Sequence, residues 1–218
     1  MNYLITQATY QDIEVGLFQN STLKKIINIP KIEACISLAT TIDRLLQEFK
    51  ISYAGLAFIG SSQGPAPFTT LRVLISTING FSFAQNTPLV GVDGLKAFYS
   101  AAKNKGLQNP IILLNAFNKE VYFAYKINGQ LVTGWENIFR LLEKLKSEIS
   151  KEKICFLGNG TDLFKQEISN AFDQKALFPS GILHHAPLTI IAQLAIQNFE
   201  NKLSVKKLIP LYLKSLNP

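Results

Sequence analysis

Apolar positions along the chain follow two periods, and the period switches several times. Tyr3 to Ala8 reads as a strand, as do Ile13, Val15 and Leu17 alternating with Glu14, Gly16 and Phe18, and Thr22 to Ile29. Short polar connections at Gln11-Asp12 and Asn20-Ser21 predict hairpins, and hence an antiparallel opening. From Lys31 to Phe49 the period becomes helical: Ile32, Cys35, Leu38, Ile42, Leu45 and Phe49 form one stripe, with Asp43, Arg44 and Glu48 off it. Tyr53 to Ile59, aromatic and apolar without charge, predicts a short buried strand. Leu71, Leu74, Ile75, Ile78 and Phe81 then recur at helical spacing, and Val73 and Phe83 extend the apolar surface round most of that helix. Such a helix is buried either in its own core or against a partner.

A strand at Leu89 to Val92 and a helix from Gly94 to Lys105 complete the first series. A second begins near Gly106–Pro110, with strands at Ile111 to Leu114 and Val121 to Ile127 and a strong hairpin turn at Asn128-Gly129. Trp135 to Ile149 predicts a helix, Lys153 to Leu157 a strand, and Thr161 to Phe172 another helix. A loop at Ser180 to Ala186 leads to a last helix, Pro187 to Glu200, which Pro187 is placed to start. Strands followed by helices in both halves predict an α/β protein of two related lobes, 1–105 and 106–218. The last helix is free to pack back on the first lobe.

Composition narrows the class. With 218 residues, 47% hydrophobic and 17% charged, the chain is globular rather than disordered. Its net charge of +7 comes from nineteen Lys and three Arg, a diffuse field suited to an acidic or nucleic-acid partner without the bidentate reading that Arg geometry allows. Cys35 and Cys155 stand far apart in apolar contexts, which predicts core residues rather than a disulfide or metal site. The opening residues lack a secretory pattern, and no apolar run reaches membrane-spanning length, so a cytoplasmic location is expected.

Candidate chemistry is sparse. Gly64-Pro65-Ala66-Pro67-Phe68-Thr69-Thr70-Leu71-Arg72 joins a strand to a helix, where α/β proteins commonly build sites. Pro65 and Pro67 lack the N–H groups that a phosphate cradle would use, and Pro67 suits a first helical turn. Gly158-Asn159-Gly160 reads as a plain turn. Glu120 and Glu136 are predicted at element starts, Asp162 and Glu167 on different sides of one helix, and the adjacent His184 and His185 in a loop. No dinucleotide, phosphate-loop, zinc or nucleophile-elbow motif is present, so neither catalysis nor a bound metal is expected of this chain.

The Gly64–Arg72 stretch resembles the G-P-G-S-F-T-G-L-R motif of the bacterial TsaB (YeaZ) family: Gly64, Pro65, Phe68, Thr69, Leu71 and Arg72 match, whereas Ala66, Pro67 and Thr70 depart. Pro88-Leu89-Val90-Gly91-Val92 with Leu95 and Ala97, Glu120-Val121-Tyr122, and Ile209-Pro210-Leu211-Tyr212-Leu213-Lys214 resemble further family motifs in the right order. The resemblance implies two ribonuclease-H-like lobes of the actin/hexokinase type. It also implies a non-catalytic partner of a TsaD-like enzyme in threonylcarbamoylation of the adenosine beside the anticodon of transfer RNA. ATP and metal are then expected in that partner and no cofactor in this chain. A TsaE-like ATPase is a further candidate partner, transfer RNA is contacted indirectly or weakly, and a homodimer is open in isolation.

The partner-facing helices would be those at about 31–49 and 68–84. Leu38, Ile42 and Leu45 on the first and Leu71, Arg72, Leu74, Ile75 and Ile78 on the second are the expected contact residues, beside Gly64, Pro65, Phe68 and Thr69. Four departures bear on nucleotide contact. Gln7 stands where superfamily ATPases carry a metal-holding acid, the first-helix landmarks at Ala34–Thr40 are lost save Leu38, Asn115-Ala116-Phe117 replaces D-A-R, and Ala66, Pro67 and Thr70 replace the small residues of the motif. The alternatives are a peptidase-like or small-molecule kinase enzyme of the same superfamily, or a homodimeric binding protein.

Overall fold

A computed structural model describes residues 1–149, 153–179 and 183–214. In chain order its elements are β1 (Asn2–Ala8), β2 (Asp12–Gln19), β3 (Thr22–Pro30), α1 (Ala34–Glu48), β4 (Leu56–Ser62), α2 (Phe68–Gln85), β5 (Leu89–Val92) and α3 (Gly94–Asn104). There follow β6 (Pro110–Asn115), β7 (Glu120–Ile127), β8 (Gln130–Asn137), α4 (Ile138–Glu148), β9 (Ile154–Leu157), α5 (Asn159–Leu163), α6 (Lys165–Phe172), β10 (Ala176–Leu177) and α7 (Leu188–Glu200). Two compact units result: Met1–Gly94 with Pro187–Leu211, and Leu95–Ala186 with the residues from Tyr212 onward. Thus α3 after Gly94 belongs to the second unit, and α7 returns to the first.

In the first unit the strand order is β3-β2-β1-β4-β5, with the β1–β2 and β2–β3 pairs antiparallel and the β1–β4 and β4–β5 pairs parallel. Helices α1 and α2 cover one face over a core that includes Leu4, Val15, Leu38, Ile42, Leu74 and Ile78. Helix α7 covers the other face, where Phe18, Tyr3, Phe58 and Phe199 stack in series at centroid separations of 5.3, 4.8 and 4.7 Å. This second cover explains why Glu14, Gly16 and Phe18, the outward positions of an alternating strand, are all buried.

The second unit repeats the arrangement in the order β10-β9-β6-β7-β8, again with three antiparallel strands followed by two parallel ones. Its core joins Ile111, Leu113 and Phe123 to Leu141 and Leu145 of α4 and Ile168 of α6. Two five-stranded α/β units of one topology are the ribonuclease-H-like pair that the family resemblance implied.

Several boundaries differ from expectation. Helix α1 begins at Ala34, leaving Ile32 before it, and Cys35 is exposed rather than core. Periodicity assigns a residue to a face but does not say whether anything lies over that face. Tyr53–Gly55 forms a 3-10 turn, and strand β4 starts only at Leu56. Trp135 lies on β8 opposite Tyr122, because the Asn128-Gly129 turn carries pairing through to Asn137. Asn137 then caps α4 by accepting from the Phe139 N–H at 3.0 Å. The helix expected at Thr161 to Phe172 breaks at Phe164 into α5 and α6, and the short β10 was not foreseen. The start of the loop expected at Ser180 to Ala186 lies outside the described residues.

Candidate partner-binding face and the motif loop

The Gly64 loop is held by its own chain rather than left open. Gly64 adopts φ +104°, a left-handed conformation that favours glycine, and the following peptide bond to Pro65 is cis. The Gly64 N–H donates to Ser62 Oγ at 3.3 Å, and its carbonyl accepts from the Gly94 N–H at 2.9 Å. Gln63 ties the loop to two distant segments. Its N–H donates to the Val92 carbonyl at 2.8 Å, its Nε2 to the Ile209 carbonyl at 2.7 Å, and its own carbonyl accepts from Leu211 N–H at 2.9 Å. The side chain also lies over Gly91, where an added Cβ would meet its Oε1 at 2.1 Å. The motifs at 64–72 and 88–92 and the start of the closing one, Ile209 to Leu211, therefore meet around Gln63.

The same closing segment is strapped to α2. Asn79 donates from Nδ2 to the Leu208 carbonyl at 2.9 Å and accepts from the Leu208 N–H at 2.8 Å. Leu89 and Val205 exchange both backbone hydrogen bonds, which covers the free edge of β5. With these donors committed and none on Pro65 or Pro67, the loop serves as a structural junction.

The expected contact residues divide in two. Leu38, Ile42, Leu45, Leu71, Leu74, Ile75 and Ile78 are at most 5% exposed and form the unit's own core, so they cannot touch a partner while the unit stays folded. Gly64 is buried and Pro65 partly so, whereas Phe68, Thr69 and Arg72 face outward. The Arg72 guanidinium sits over the Phe68 ring, 3.8 Å from its centroid. The outward surface of α1 and α2 carries residues that the sequence reading passed over or assigned inward. Ile36 and Phe83 are 85% and 91% exposed, alongside Cys35, Ala39, Ser76 and Gly80, and Ile32, just ahead of α1, is 82% exposed. An added Cβ on Gly80 would meet nothing within 4 Å, so no packing inside the unit requires this mid-helix glycine. The available signal was Ile36, a large aliphatic residue off the apolar stripe of its helix.

The family model for TsaD, tRNA N6-adenosine threonylcarbamoyltransferase, matches residues 35–215. The chain belongs to this family. Within it the likeness is to the TsaB (YeaZ) branch. The tRNA threonylcarbamoyladenosine biosynthesis protein TsaB of Buchnera aphidicola subsp. Schizaphis graminum is 26% identical over 174 residues, covering 77% of this chain and 83% of that protein. A Pseudomonas aeruginosa protein described as similar to the peptidase YeaZ superposes with a TM-score of 0.75 at 20% identity, covering 98% and 99% of the two chains. A ROK hexokinase from Thermus thermophilus superposes at 0.51 with 12% identity, covering 92% of this chain and all of that one, which places the fold in the actin/hexokinase type.

Elsewhere the family positions serve packing. Gln7 Nε2 donates to Glu14 Oε2 across the β1–β2 pair. In the second unit an added Cβ on Gly158 would lie 2.3 Å from the Leu113 carbonyl oxygen, and Asn159 Oδ1 accepts from the Asn115 N–H at 3.0 Å. The Gly158–Gly160 turn is thus laid against β6. Glu120 opens β7 and pairs with Lys214, while Glu136 accepts from the Asn137 N–H and so lies on β8, not at a helix start. His184 Nδ1 lies 3.3 Å from a carboxylate oxygen of Asp162 at the surface. Among the described residues no three His, Cys, Asp or Glu side chains group to hold a metal, and no helix is long and apolar enough to cross a membrane.

Proposed function

We propose that this chain is a TsaB-type accessory subunit in tRNA threonylcarbamoyladenosine biosynthesis, docking on a TsaD-like enzyme through the outward faces of α1 and α2. The observation that carries the reading is the exposure of Ile36 on α1 and Phe83 on α2, with Ile32 just ahead of α1. Isolated exposed apolar residues are ordinary, but three nearly bare ones on and beside two helices that pack together, with an unrequired glycine on α2, form a surface suited to another helix.

In this reading the chain contributes structure rather than chemistry. The amide of Gln7, occupied by Glu14, stands where a metal-holding acid would be needed, so ATP and metal belong to the partner's site. The modified adenosine, beside the anticodon, is reached through the assembly, and a TsaE-like ATPase would join the same complex. The compartment is the cytoplasm. Without its partner, the face would pair with a second copy of the chain.

The test is co-purification with the TsaD-like protein of the same organism, followed by assay of modified adenosine. Wild-type chain should bind and support modification, while Ile36→Asp and Phe83→Asp should lose both with unchanged circular dichroism. Binding by both variants equal to wild type would overturn the assigned face. Modification proceeding without the chain would overturn the role.

A further inference from the structure

The second unit has an opening in its sheet that the partner-binding face does not involve. Strands β6 and β7 pair only from Ile112↔Ala124 to Asn115↔Val121. Beyond Ile112 they part. Strand β7 stays with β8 as far as Ile127↔Gln130, while Pro110 and Ile111 stay with Cys155 and Phe156 on β9. Pro110 has no N–H with which to close the gap. Between Pro110–Ile111 and Tyr125–Lys126 lies a cavity of about 310 Å³, at the small end of the range for ligand pockets.

Its lining is chemically divided. Lys103 and Lys126 are exposed, and among the described residues neither has an ion-pair partner. Tyr99, from the same helix as Lys103, is half-buried and gives a planar wall, while the Asn109 amide nitrogen is committed to the Lys153 carbonyl at 3.3 Å. The buried Tyr125 donates its hydroxyl to Glu148 at 2.9 Å, away from the lysines. Two ammonium groups beside an aromatic ring are what a phosphate attached to a planar heterocycle requires.

We propose that this slot binds a single nucleotide, its phosphate between Lys103 and Lys126 and its base against Tyr99. The nucleotide is either a free mononucleotide or one residue of a single RNA strand, since the chemistry presented to the slot is the same. The surplus of Lys over acidic residues raises the local concentration of either.

Binding of 5′-AMP, hexauridylate and inorganic phosphate to the full chain, followed by calorimetry at low salt, tests this. AMP or hexauridylate should bind at least about tenfold more tightly than phosphate, because the planar wall adds stacking to charge. Preference for the oligonucleotide identifies an RNA strand as the source, and equal or tighter AMP binding identifies a free nucleotide. Lys103→Ala and Lys126→Ala should each weaken binding about tenfold. Lys24→Ala with Lys207→Ala, exposed positions of the first unit, should leave it unchanged. Phosphate binding as tightly as either nucleotide, equal loss in the first-unit variant, or no binding of any probe would each overturn the proposal. Tyr99→Leu separates stacking from charge: an unchanged affinity for both nucleotides would remove the base from the slot.

Discussion

Gln7 and Glu14 face each other across the β1–β2 pair, the amide nitrogen of one donating to the carboxylate of the other, and both side chains are buried. A carboxylate at position 7 would meet a second carboxylate there instead of a metal. The substitution that removes an acid from the first strand is therefore tied to an acid on the second.

Gln7→Asp should destabilise the protein by about 3 kcal/mol near neutral pH, through loss of a donor to a buried charge and repulsion between two carboxylates. Urea unfolding at pH 7.5 checks this; a variant as stable as wild type would mean that the pair does not interact.

Tyr53 stacks on Phe81 at 4.9 Å, and among the described residues its hydroxyl has no hydrogen-bond partner. Burial, and secondarily the Asp43 carboxylate, push its pKa up to about 12. The unfolded chain ionises near 10, so this tyrosine favours the folded state fully below that pH and progressively loses the contribution as pH rises towards 12. Tyr53→Phe should be no less stable at pH 7, where it removes an orphan hydroxyl, and should lose less stability than wild type between pH 10 and 12. Melting temperatures across that range decide it.

The two sides of α2 should respond oppositely. Leu74→Ala and Ile78→Ala remove side chains that are 0% exposed and should each cost about 2–5 kcal/mol. Gly80→Ala places a methyl group in open space and should stabilise the helix by about 1 kcal/mol, while weakening partner binding if a helix approaches closely there. Chemical denaturation and co-purification, measured on the same variants, separate the effects.

Gly91→Ala would drive a Cβ into the Gln63 amide, which must swing away and release the Ile209 carbonyl. The segment after Leu208 should then be cut faster in limited proteolysis, with fragments mapped by mass spectrometry. An unchanged cleavage rate would show that the Leu211 N–H bond to the Gln63 carbonyl and the Asn79 pair hold the segment without the Gln63 side chain.

Much of the architecture was legible because its elements are strongly periodic. The three opening strands, α1, α2 and the Asn128-Gly129 hairpin lie within a few residues of expectation. Tertiary cover was not legible. The alternation in β2 gave no sign that α7, encoded far downstream, would bury its second face as well. Leu74 and Ile78 looked equally suited to a core or a partner, since apolar spacing is the same for both, and only the position of the sheet assigns them to the core. Gln63 and Asn79 gave no signal at all, because their importance lies in backbone carbonyls and N–H groups more than one hundred residues away.

The return of α7 and the Val205–Leu211 stretch to the first unit has a consequence for biosynthesis. Domains generally fold in the order in which they leave the ribosome. Here every residue of the second unit's sheet, from Pro110 to Leu177, emerges before Leu188 does. While that sheet assembles, the ring series of Phe18, Tyr3 and Phe58 still lacks Phe199, and the edge of β5 still lacks Val205. The part of the protein that is translated first is thus the last to be finished, and the nascent chain must keep one apolar sheet face from aggregating until its closing helix arrives.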